Sequence, residues 1–94
     1  GILIIDPDMV EEDDPVLVKF IKDHNIKLFK APATETAVND IGLRVVANIV
    51  MVGAIVKATK IISKDAALKA ILSSVPKGTE KKNQEAFEAG YNLI

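Results

Sequence analysis

Residues Leu43 to Thr59 read LRVVANIVMVGAIVKAT. Between Val45 and Val56 the only side chain with a hydrogen-bonding group is Asn48, and the only helix breaker is Gly53. A helix that is apolar on every side is either a membrane span or the centre of a larger fold. A span needs about 20 predominantly apolar residues. This run is shorter, with Arg44 at one end and Lys57 and Lys60 at the other. It is read as a buried central helix over 43–59, with more apolar surface than the chain around it can cover.

The rest of the chain is small. Its 94 residues allow one domain at most. With 49% hydrophobic and 27% charged residues it belongs with globular chains, and with 4% aromatic residues its core must be aliphatic. The net charge of -1 offers no basic surface for phosphates, so nucleic acid is not an expected partner, and neither is a membrane. There is no cysteine, which removes disulfides, thiolate metal sites and a cysteine nucleophile together. No basic segment precedes the first apolar run, so no secretory signal is read and a cytoplasmic location is expected.

Upstream of the central helix, Ile2 to Ile5 form a continuous apolar run. Such runs mark strands buried on both faces of a parallel sheet. A chain that opens in a central strand is expected to be the C-terminal part of a longer domain, with the N-terminal half absent. Asp6-Pro7-Asp8 ends this strand, at about residue 6. The acidic run Glu11, Glu12, Asp13 and Asp14 invites a metal reading, but it lacks calcium-loop spacing. It reads better as a solvated approach to a helix capped by Asp14 with Pro15 in its first turn. Val16, Leu17, Phe20 and Ile21 share one face of that helix (15–24). His24, the single histidine, sits in its last turn, where a cationic group suits the helix dipole, and Asn25 is a left-handed terminator.

A second strand, 26–30, alternates and is expected half exposed. Ala31-Pro32-Ala33 leads into a helix over 33–41 that stops at Gly42, with Thr34 near its N-cap. A strand followed by a small-residue turn and a helix N-terminus is a common ligand position in α/β proteins. Pro32, Thr34 and Glu35 are therefore candidates for contact with a ligand or a neighbouring subunit, against the plainer reading of a capping hydroxyl and a dipole-favoured acid. Arg44 and Asn48 join the candidate list. A buried Asn48 amide must find partners, either within the chain or on another one. Gly53 is expected to admit close approach of another backbone. Downstream, Ser63 caps a helix over 64–75 and Thr79 one over 79–92. Leu68, Ile71, Leu72 and Val75 form the buried face of the first. Phe87, Gly90, Tyr91 and Ile94 form that of the second.

The expected fold is a helix-rich α/β chain, two parallel strands with flanking helices, forming part of a larger α/β domain. A two-stranded unit is marginal on its own. The uncovered surface is expected to meet another copy or the absent half, through Asn48, Met51, Gly53 and Ile55.

Four segments in order carry a family resemblance: ILIIDPDMV, APATETAVNDIGLRVVANIVMVGAIVKATKIIS, the helix to VPKGTE, and NQEAFEAGY. Together they are similar to the C-terminal half of the gamma subunit of 2-oxoacid:ferredoxin oxidoreductases. The resemblance implies an enzyme that converts a 2-oxoacid and coenzyme A to acyl-CoA and carbon dioxide, passing electrons to ferredoxin. It implies thiamine diphosphate, coenzyme A and iron–sulfur clusters in the complex, with alpha and beta subunits as partners. This chain lacks the Gly-rich loop, the cysteines and a thiamine motif, so it is expected to bind no cofactor alone and to be non-catalytic. The Pro76–Glu80 turn leans the resemblance toward 2-oxoglutarate. The competing reading is an independent helical interaction module without an enzymatic role.

Overall fold

The structure, a computed structural model, describes residues 1–11 and 13–94. Strand β1 (Ile2–Ile5) is followed by α1 (Pro15–Asp23) and strand β2 (Lys27–Lys30). The strands are parallel neighbours, with Ile2 opposite Lys27 and Ile5 opposite Lys30. Helix α2 (Ala33–Thr36) continues as a π turn over Ala37–Ile41. A 3-10 turn (Arg44–Val46) then leads into α3 (Ala47–Thr59), α4 (Lys64–Ser74) and α5 (Glu80–Leu93). The order and type of every expected element hold. The two long helices expected at 33–41 and 43–59 each contain a change of winding.

Local chemistry sets most boundaries. The Asp14 carboxylate accepts from the Val16 and Leu17 amides, and Pro15 supplies the first turn of α1. At its other end His24 Nδ1–H donates to the Phe20 carbonyl at 3.0 Å, and Asn25 takes the left-handed conformation at φ 52°. Gly42, at φ 81°, stops the π turn. Ser63 Oγ accepts from Ala66 N and starts α4. Thr79 departs from expectation. Its hydroxyl donates back to the Pro76 carbonyl, and the exposed first amides of α5 receive no cap from it.

Helix α3 is the centre of the molecule. From Ile49 to Thr59 every residue is at least half buried, with Val50, Gly53, Ala54 and Val56 inside. Its main partner is α5. Gly53 and Gly90 bring the two backbones together. A Cβ at Gly53 would lie 2.8 Å from Tyr91 N, and one at Gly90 would lie 2.6 Å from the Val50 carbonyl carbon. One core cluster joins Ala33, Ala37, Ile41, Val46, Val50 and Ala86, and a second joins Val56, Ala67 and Phe87. The core is small and, apart from the fully buried Phe87, aliphatic.

The outer elements are less covered than their sequences suggest. Of β1, only Ile5 is buried and Ile2 is exposed, because β2 is its only strand neighbour among the described residues. Helix α1 buries no residue, and Val16 and Phe20 of its apolar stripe are exposed. The radius of gyration is 14.1 Å, against roughly 12 Å for a compact chain of this length. Among the described residues, no helix is long and apolar enough to cross a membrane.

Candidate functional site

Parallel pairing places the carboxyl ends of β1 and β2 side by side, and Ala31 N donates to Ile5 O at 2.7 Å. Asp6 follows β1 directly and Pro32 leads into α2, so a carboxylate stands at a helix N-terminus. Asp6 is 8% exposed. Its Oδ2 accepts from Thr34 N at 2.9 Å and from Thr34 Oγ1 at 2.8 Å, and its Oδ1 accepts from Asp8 N at 3.0 Å. Burial alone would raise its pKa. The bonds from the Thr34 hydroxyl, the Thr34 amide and the Asp8 amide outweigh burial and hold the carboxyl below its ordinary value. An ionised carboxylate with this many donors is a weak base and a poor proton donor. Its chemistry here is to fasten the turn after β1 to the start of α2.

This arrangement engages one of the first candidates. Thr34 spends both its amide and its hydroxyl on Asp6, across the sheet end, and is not a local cap. The position where an α/β protein receives an outside anion is filled by the chain's own carboxylate. Pro32 is half buried at the N-cap position, and Glu35 is exposed.

The remaining candidates lie around α3. Arg44 is exposed in the 3-10 turn. Asn48 is also exposed, and its Oδ1 accepts from Ile49 N at 2.9 Å. The expectation of a buried Asn48 amide is thereby corrected: the residue stands in the first turn of α3 on its solvent-facing side, between core residues Val46 and Val50. Met51 and Ile55 are half buried, with Met51 packed on the core cluster. Gly53 does serve close backbone approach, but the backbone is α5 of the same chain.

Of the acidic run, Glu11, Asp13 and Asp14 are exposed, and Glu12 lies outside the described residues. Among the described residues no three His, Asp or Glu side chains come together as metal ligands.

Three features escaped the sequence reading. Asp6 was legible only as the end of a strand. Asn83 is 7% exposed, and its Nδ2 donates to Thr79 O at 3.0 Å. Its spacing of four residues from Phe87 was the available signal, since it puts the amide on the buried face of α5. Lys57 and Lys64 both stand over the Tyr91 ring, at 4.6 and 4.7 Å from its centroid. No periodicity announces such a pairing.

Comparison with known proteins agrees with this architecture. Residues 1–93 match the family described as Pyruvate ferredoxin/flavodoxin oxidoreductase. The chain is similar to 2-oxoglutarate synthase subunit KorC of Methanothermobacter marburgensis, with 51% identity over 94 residues, covering 100% of this chain and 50% of that protein. The subunit of the same name from Methanocaldococcus jannaschii is 43% identical over 93 residues, covering 99% of this chain and 46% of that protein. Among solved structures, the gamma subunit of a keto/oxoacid ferredoxin oxidoreductase from Geobacter sulfurreducens matches with a TM-score of 0.84 and 38% identity. That match covers 99% of this chain and 50% of the solved one. The chain spans about half the length of the relatives it matches. By its match over residues 1–93, this chain belongs to the pyruvate ferredoxin/flavodoxin oxidoreductase family.

Proposed function

We propose that the chain forms part of the gamma subunit of a 2-oxoacid:ferredoxin oxidoreductase whose substrate is 2-oxoglutarate. One observation carries this reading: the whole chain is 51% identical to a protein named 2-oxoglutarate synthase subunit KorC. In the proposed complex the 2-oxoacid and coenzyme A give an acyl-CoA and carbon dioxide, with electrons passing to ferredoxin. The family match over residues 1–93 weighs against an independent helical module.

The chain's own residues suit a supporting role. Without cysteine it has no thiolate to hold an iron–sulfur cluster. The carboxylate at the ends of its strands is engaged in structure. In this reading the thiamine diphosphate site belongs to the alpha and beta subunits and the clusters to cysteine-rich elements of the complex, while the gamma subunit assists with coenzyme A and with assembly. Exposed Glu35 and Arg44 are the charged groups offered to those neighbours. Half-buried Pro32 stands beside Glu35 at the rim of the sheet. The rest of the gamma-type domain would cover α1 and the open side of β1. A cytoplasmic location accompanies this reading.

The test is reconstitution. The subunit containing this chain is co-expressed with its alpha and beta partners, and 2-oxoacid-dependent reduction of ferredoxin is measured with coenzyme A. The expected result is turnover of 2-oxoglutarate in preference to pyruvate and branched-chain oxoacids, and loss of assembly when this subunit is omitted. Full activity without the subunit, or preference for another oxoacid, would overturn the corresponding part of the proposal.

A further inference from the structure

We draw no further inference here: the strongest candidate, the surface patch at the α3–α4 connection, where Ile61 and Ile62 are exposed between Lys57 and Lys64 and both ammonium groups stand over the Tyr91 ring, carries nothing, because nothing in the structure shows what covers it.

Discussion

Gly90 rests on the backbone of Val50, so that a methyl group at Gly90 would lie 2.6 Å from the Val50 carbonyl carbon. Gly53 meets the backbone of α5 in the same way, one turn further along α3. Glycine in a helix interior costs about 1 kcal/mol against alanine. Here the loss is offset by helix contact at backbone distance, which no side chain permits. Gly90→Ala and Gly53→Leu should each destabilise the fold by at least about 1–3 kcal/mol, the range for overpacking a close contact. Urea denaturation followed by circular dichroism measures this. Stability equal to that of the parent would show that the helices part freely at this crossing.

Asp6 provides a second test. At neutral pH, Asp6→Asn should lose about 1.5–3 kcal/mol, since a buried carboxylate with charge-assisted hydrogen bonds is replaced by an amide. Its folded pKa lies below the ordinary value of 3.8. The stabilisation is therefore fully present above that pH and drains away as pH falls through the folded value. The gap between parent and variant should close below about pH 4. A gap that is constant from pH 7 to pH 3 would mean that ionisation of Asp6 contributes nothing.

What the sequence could and could not show divides along physical lines. Asp14-Pro15, Asn25, Gly42 and Ser63 act on their immediate neighbours, and each marks the boundary its residue type suggests. The all-round apolar run marked α3 as central, because no exposed helix tolerates that composition. Asp6 and Thr34 are 28 residues apart, and their pairing follows from the parallel register. Local reading assigned Thr34 to its own helix for that reason. Asn48 shows the opposite case: an apolar run suggests a buried amide, but a helix turn between core residues Val46 and Val50 still has an outward side, and Asn48 occupies it. Gly53 is a place of close approach, as a glycine in an apolar helix suggests, but composition alone does not say which backbone approaches.

Lys60 should yield a stabilised variant. It closes α3 in the left-handed conformation at φ 54°, and its side chain is exposed. A non-glycine residue pays about 1–2 kcal/mol in that region, whereas glycine adopts it freely. Lys60→Gly should raise stability by about 0.5–1 kcal/mol after the added entropy of the unfolded chain is counted. Unchanged or lower stability would indicate that the lysine makes a compensating contact.

The last prediction concerns the surface left bare. The accessible area is 6095 Å², whereas a compact monomer of this mass exposes roughly 5,300 Å². The excess of about 800 Å² equals one partner's share of a standard protein interface. It is accompanied by an open groove lined by Met9, Val10, Val16, Leu17 and Phe20, with Glu11 and Asp14 also in its lining. Val16 is 79% exposed and Phe20 49%, on a helix that buries nothing. In the isolated chain the only surface available to cover this groove is that of a second copy. The purified chain should therefore sediment as a dimer at tens of micromolar. Val16→Lys places a charge on the groove without touching the core, and should return the chain to a monomer while leaving its far-ultraviolet circular dichroism unchanged. A parent chain that sediments as a monomer, or a Val16→Lys variant that dimerises equally well, would show that α1 is not the associating face.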